Sequence, residues 1–226
     1  MQNWPETIPL FPLRTVLFPG GILPLRIFET RYLNMIRDCS REQTPFGVCL
    51  LLDEDDQAAA EQQPRQSRMT TIGTAADIID FSTTDDGLLG VVARGSRRFQ
   101  VVSTGVRHDG LITAAVAWLA DDAPHTIQPQ HAILVDVLRQ LHEQISSKLQ
   151  QRSDNRDDID LRSILQNCDY DDAATVGFRL ADLLPLAVHD QQVLLEMRDA
   201  DERLDSLLQA ISISNDGEEE GGTPPS

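Results

Sequence analysis

Residues 8–37 read IPLFPLRTVLFPGGILPLRIFETRYLNMIR, and prolines at 9, 12, 19 and 24, with Pro5 just upstream, constrain this stretch more than any other feature. Each proline removes a backbone donor and fixes φ, so neither a helix nor a long central strand is expected to run through it. Pro19-Gly20-Gly21 spells a tight turn, because glycine takes positive φ without penalty. It joins a short extended piece, Thr15–Phe18, to a strand, Ile22–Phe28. Beyond Phe28 the period changes. Tyr32, Met35, Ile36 and Cys39 fall at i, i+3, i+4 and i+7, which predicts an amphipathic helix started by Thr30 or Glu29.

The next hundred residues read as strands and turns. Phe46–Leu52 is a continuous apolar run, expected as a strand buried on both faces. Residues 53–69, rich in acid and glutamine, are expected as a long mobile loop. Extended structure resumes at 70–81. Asp86-Gly87 is a hairpin dipeptide ahead of a strand at Leu88–Ala93, Gly95 marks a further turn, and Arg98–Val102 makes another strand. Asp109-Gly110 turns the chain into 111–120. Short strands at this spacing predict a β-barrel or sandwich.

From Asp121-Asp122-Ala123-Pro124 onward the pattern is helical. Ile133, Val137, Leu141, Ile145 and Leu149 recur every four residues, with Leu134 and Leu138 widening the stripe. Leu161, Ile164 and Leu165 suggest a short helix. Asp171 or Asp172 can cap a helix that stops at Pro185, and Asp190 can cap a last one carrying Met197, Ala200, Leu204, Leu207, Leu208 and Ile211. Helices with one apolar face each are expected to pack as a bundle. The predicted layout is a β-rich subdomain over 1–121, a helical subdomain over 122–213 and a disordered acidic tail over 214–226.

Charge narrows the partners. The chain carries a net charge of −17, and Lys148 is its only lysine. Such a field repels nucleic-acid phosphates and anionic headgroups, so neither nucleic acid nor membrane is expected as a partner. No uninterrupted apolar run exceeds seven residues, which is too short to cross a bilayer. Cys39, Cys49 and Cys168 form no CxxC pair, and Cys39 and Cys49 lie in apolar settings that suit a reducing compartment. MQNWPET has neither the basic nor the apolar region of a signal peptide. A cytoplasmic protein is expected.

Catalytic signals are weak. Without a Gly-Lys pair there is no phosphate loop. Ser147 and Lys148 are neighbours on a predicted helix and point about 100° apart, so they cannot form a nucleophile–base pair. His108, His125, His131, His142 and His189 show no metal-ligand spacing, and Gly20-Gly21 lacks the setting of a dinucleotide site. Asp85-Asp86 and Asp157-Asp158 read as solvated turns. No catalytic residue, metal or cofactor is expected, and the chain is not expected to be an enzyme.

The opening segment resembles the LON substrate-binding domain, the N-terminal domain of Lon-type proteases, through Pro12, Leu13, Phe18, Pro19, Gly20, Pro24, Leu25, Phe28, Glu29, Arg31 and Tyr32. Gly73, Thr74, Ala75, Asp86, Gly87, Gly95, Arg98 and Phe99 resemble a second block of that domain, and FRLADLLPL with QQVLLEMRDADERLDSLL resembles its helical half, so the resemblance spans about residues 7–211. It implies an α+β fold, a PUA-like β pseudobarrel followed by an α-helical bundle. It also implies a non-catalytic polypeptide-binding protein, a recognition or adaptor module that holds polypeptide segments or unfolded protein and acts beside a protease or chaperone. The ATPase and serine–lysine protease modules of Lon proteases have no counterpart in these residues. Most of the matching residues are expected in turns, core and helix start. Arg14, Arg26, Arg31 and Arg98 have two readings. They anchor a bound segment in a cleft, or they pair internally, for example Glu29 with Arg98 or Arg31 with a loop acid. Two other function classes stay open: an RNA-binding PUA-like module, opposed by the charge, and a small-molecule enzyme with a pocket that the sequence does not display.

Overall fold

The computed structural model describes residues 4–52, 68–83, 87–151 and 168–219. Residues 53–67 of the loop expected over 53–69, Asp85-Asp86, Asp157-Asp158, the short helix around Leu161 and the residues after 219 lie outside the described residues, whereas Met69, at the end of that expected loop, is buried and bridges to Leu51. The chain divides into two compact units, one of Met1–Asp121 with Leu186–Glu196, the other of Asp122–Pro185 with Met197–Ser226.

The first unit is built on strands β1 (Thr7–Leu13), β2 (Ile22–Ile27), β3 (Phe46–Leu50), β4 (Ile72–Thr83), β5 (Leu89–Val106) and β6 (Ile112–Trp118). Their order is β2-β5-β4-β3-β1-β6, and β5 also pairs with β6. Five strands therefore close on themselves, while β2 lies outside the ring along the first half of β5, from Ile22 opposite Arg94 to Ile27 opposite Leu89. The PUA-like pseudobarrel implied by the resemblance has this form.

Two expectations fail for one reason, the reach of backbone partners from elsewhere in the chain. A strand does run through Pro9 and Pro12. β1 accommodates them by changing partner, pairing β6 over Thr7–Pro9 and β3 over Leu10–Leu13. Gly95 is not a turn but lies inside an 18-residue strand, β5, with irregular register on both sides of the pairing. The backbone turns at Phe18–Gly21 instead. Gly21 N–H donates to the Phe18 carbonyl at 2.9 Å and Gly20 takes φ 77°, as a Pro-Gly turn requires. That turn docks on β5, with Gly20 N–H to Gly95 O at 2.7 Å and Gly95 N–H to Gly21 O at 2.9 Å. A Cβ on residue 95 would stand 2.1 Å from the Phe18 carbonyl oxygen, so only glycine fits.

Helix α1 (Thr30–Glu42) follows the expected face, burying Met35, Ile36 and Cys39. They pack with Phe46, Val48, Val91 and Ala93 in one core cluster, and a second forms around Ile8, Leu10, Cys49, Phe99 and Ala114. At roughly 2 kcal/mol per fully buried large aliphatic side chain, these clusters are the main stabilising force of the unit. Gln43, in the left-handed region at φ 53°, ends α1 and turns the chain through Thr44 and Pro45 into β3.

The second unit holds a 3-10 turn at Pro129–His131, α2 (Ala132–Gln151), α3 (Ala173–Leu183) and α5 (Ala200–Glu219). Asp172 caps α3 as expected, accepting from Thr175 N–H at 2.9 Å, and the helix stops ahead of Pro185. Leu134 and Leu138 of α2, not Ile133, face the interior; Ile133 is 59% exposed. The single last helix expected from Asp190 is two. α4 (Val188–Glu196) ends before Met197, and α5 starts at Ala200, where Asp199 accepts from the N–H groups of Asp201 and Glu202. α4 belongs with the sheet unit rather than with a bundle: Gln192 Nε2 donates to Ile72 O at 3.0 Å, and Leu195 O accepts from Arg98 Nη1 at 2.8 Å. Helical backbone in α5 continues to Glu219, into the stretch expected as tail.

Candidate functional site

The change of partner along β1 leaves an opening in the sheet unit. Pro9 and Pro45 have no N–H, so the parallel ladder between β1 and β3 begins only at Leu10 and Gly47. Ahead of that point β1 pairs with β6 alone among the described residues, and the space between β1 and Thr44-Pro45 is a cleft of about 320 Å³. Pro5, Thr7 and Pro9 form one wall, Asp38, Cys39 and Glu42 of α1 a second, and Arg107, Leu111 and Thr113 of the β5–β6 hairpin a third. Ile8, Met35 and Leu111, each almost fully buried, make the floor.

Backbone direction gives this cleft a polar edge. The Glu6 carbonyl accepts from Val116 N–H at 2.9 Å, so it faces β6. Successive peptide groups of a strand face opposite ways, which turns the N–H and C=O of Thr7 toward the cleft. Thr7 is exposed there. Asp38 and Glu42, four apart on α1, lie on the same wall. Asp38 pairs with Arg37 at 3.1 Å and Glu42 with Arg41 at 3.0 Å, and both arginines are about two-thirds exposed. Arg107 is drawn to Asp109 at 3.3 Å.

One of the arginines with two readings holds this site together from behind. Arg31 pairs with Glu29 at 2.8 Å, donates to the Gly110 carbonyl at 3.2 Å and lies over the Tyr32 ring. It thereby ties α1 to the turn that carries Arg107 and Leu111. Glu29 pairs with Arg31 and not with Arg98. Arg98 is buried, with 4% of its surface exposed, and donates to Leu195 O at 2.8 Å. Arg14 and Arg26 are exposed but do not line the cleft.

Many of the other matching residues lie in the core or at turns. Phe18 and Phe99 are fully buried, and Tyr32 stacks on Phe11 at 4.1 Å. Pro12, Leu13 and Leu25 are half-buried, and Pro19 and Gly20 make the turn. A Cβ on Gly73 would stand 2.3 Å from Val48 O, so β3 and β4 meet there at glycine distance. Gly87 has φ 79° in open space, and Asp86 beside it lies outside the described residues. Pro24 is exposed on β2, whose outer edge it deprives of a donor. Phe28, 70% exposed, is the one strongly solvent-facing aromatic in the matching set.

Sequence reasoning missed Thr7, Asp38, Glu42, Thr44 and Arg107. Two signals were available in retrospect: the acids at i and i+4 on the polar side of α1, and the prolines at 9 and 45 that stop a ladder. Neither means a cleft until the pairing of β1 with β3 is known.

The thiols here are inert. Burial pushes Cys39 up to about 11 and Cys49 up to about 12, far from a thiolate at neutral pH. Ser147 and Lys148 are exposed neighbours on α2. No group of three metal-ligating side chains gathers among the described residues.

The sequence profile of the ATP-dependent protease La (LON) substrate-binding domain matches residues 7–212. A crystal structure of a Lon N-terminal domain protein from Xanthomonas campestris superposes with a TM-score of 0.66 at 36% identity, covering 90% of this chain and 97% of that one. The N-terminal domain of Mycobacterium avium complex Lon protease superposes with a TM-score of 0.59 at 17% identity, with the same coverage, and shows the common fold. Lon protease of Cytophaga hutchinsonii is 25% identical over 211 residues, which are 93% of this chain and 24% of that protein. Lon protease of Escherichia coli is 25% identical over 202 residues, 89% of this chain and 24% of that protein. The chain spans a quarter or less of the curated relatives it matches.

Proposed function

This chain belongs to the LON substrate-binding domain family, and from that membership we propose that it holds polypeptide segments or unfolded protein without cutting them, as a recognition or adaptor module beside a protease or chaperone. The observation that carries the reading is the cleft at β1. An open strand edge, an apolar floor and a few polar groups at the rim are what an extended chain needs for binding. Hydrolysis would need an activated nucleophile, and the candidates described above lack a base or a depressed pKa. The net charge of −17 and the single lysine favour polypeptide over RNA. A cytoplasmic setting suits the three free cysteines, two of them buried, and no helix among the described residues is long and apolar enough to cross a membrane.

Reduced, carboxymethylated α-lactalbumin is a permanently unfolded probe that tests the reading. Fluorescence anisotropy of the labelled probe should rise and saturate with added protein, and mass spectrometry should find the probe intact after hours. Absence of saturable binding, or fragments of the probe, would overturn it.

A further inference from the structure

We propose that the β1 cleft admits an extended segment that adds as a short strand along Thr7, lays an apolar side chain on the Ile8–Met35–Leu111 floor and sets a lysine or arginine against Asp38 and Glu42. The inference rests on the polypeptide-binding reading and names the place and the chemistry of the bound segment.

Three observations converge on it. First, the Thr7 peptide faces the cleft, because Glu6 is committed to Val116, and Pro45, which borders the same cleft, has no N–H to offer it. A strand that stops early for want of a donor can be extended by an incoming chain, and main-chain hydrogen bonds then supply affinity without regard to sequence. Thr44 and Thr113 add hydroxyls at the rim, each able to donate or accept.

Second, the cleft is small. A volume of about 320 Å³ is at the low end for ligand pockets, so it takes a few residues of a chain rather than a folded partner. The floor is apolar and fixed, since Met35 and Leu111 belong to the packed core behind it. A single aliphatic side chain is the natural plug.

Third, the charges select a cation. Two carboxylates stand on the α1 wall against one guanidinium, and Arg107 is engaged by Asp109. Asp38 and Glu42 do have partners, but Arg37 and Arg41 are 66% and 69% exposed, so these pairs are screened by water and worth little. A basic side chain entering the cleft reaches Asp38, 29% exposed and so less hydrated than either arginine, where the attraction is stronger; Glu42, 58% exposed, adds less. An acidic segment meets repulsion instead.

The test uses blocked, fluorescein-labelled hexapeptides of alternating leucine and lysine, and the same peptides with glutamate replacing lysine. The wild-type protein should bind the lysine peptide and reject the glutamate one. In the double variant Asp38→Asn/Glu42→Gln, checked for an unchanged melting curve, affinity for the lysine peptide should fall about tenfold, the effect of losing a charge-assisted contact. In 15N-labelled protein, the Thr7 amide should shift on titration, and it should shift much less with a peptide N-methylated at its central residues. Equal binding of the two peptides, undiminished binding by the double variant, or an unmoved Thr7 amide would each overturn the inference. Where α-lactalbumin still binds in those cases, the broader reading stands and only the site is wrong. If α-lactalbumin itself fails to bind, the broader reading falls.

Discussion

The two units bury an arginine each, and they do so by different means. In the sheet unit Arg98 reaches a backbone carbonyl, Leu195 O, and two tight places in that unit bring a glycine against a backbone carbonyl. Gly95 lies against Phe18 O and Gly73 against Val48 O, at distances that exclude a Cβ. In the helical unit a charged side chain lies among the buried apolar ones. Arg203 has no exposed surface. It donates to Asp122 Oδ2 at 2.8 Å and to Met197 O at 2.7 Å, and its guanidinium lies 3.8 Å from the centre of the Phe178 ring. The contrast teaches that one fold can take its precision from glycine and proline in one part and from a buried ion pair in another. A closed sheet brings backbones together, whereas packed helices meet only through side chains.

The largest effect that would break this contrast is at Arg203. Its partner Asp122 retains 4% of its side-chain surface, so Arg203→Met leaves a buried carboxylate with its main cation gone. Removing one member of such a pair costs about 3–5 kcal/mol. The loss should appear in urea unfolding followed by circular dichroism at 222 nm, and Asp122→Asn added to Arg203→Met should restore part of it. If the single variant unfolds within about 1 kcal/mol of wild type, the helical unit does not depend on its ion pair.

A second variant tests the other half. Gly95→Ala forces a methyl group against the Phe18 carbonyl, and backbone cannot yield as a flexible side chain can. A destabilisation of about 2–4 kcal/mol is expected, in the range of overpacked cores. Trp4 and Trp118, 4.7 Å apart in the sheet unit, supply a fluorescence signal for that unit's unfolding. A substitution tolerated at no cost would mean that β5 can retreat from the Pro19-Gly20 turn, and that glycine there is convenience rather than necessity.

The same contrast explains what could be read in the chain beforehand. The Pro19-Gly20 turn, α1 and the Asp172 cap are local, each decided by residues within one or two turns of backbone, and the sequence displays them. β1 could not be seen, because a strand through Pro9 and Pro12 is sensible only once two partners share it. Gly95 reads as a turn until its neighbour, the 18–21 backbone, is known. The break between α4 and α5 was legible in principle, since Asp199 is a good cap, but the apolar spacing runs across Met197 and conceals it. Periodicity also has no sign for a buried arginine, so the apolar stripe expected on the last helix does not include Arg203. The cleft fared worst, being assembled from three elements, each of which looks ordinary alone.

Asp182 offers the smallest and most selective test, because it is a charge in the helical unit whose burial is not fully compensated. Burial pushes its carboxyl up from 3.8 to about 6, and nearby Arg179 offsets only part of that. A raised acid disfavours the ionised form in the folded chain, so stability is fully present below about pH 3.8 and is lost as pH rises through about 6. The difference between the two values bounds the effect at about 3 kcal/mol, and partial access to water reduces it to about 1–2 kcal/mol. Asp182→Asn cannot ionise and keeps the shape. It should therefore match wild type near pH 4 and exceed it by that margin at pH 7.5, measured as urea midpoints across the range. A constant offset at all pH values would assign the difference to packing. A variant less stable than wild type at pH 7.5 would show that Arg179 holds the ionised form after all.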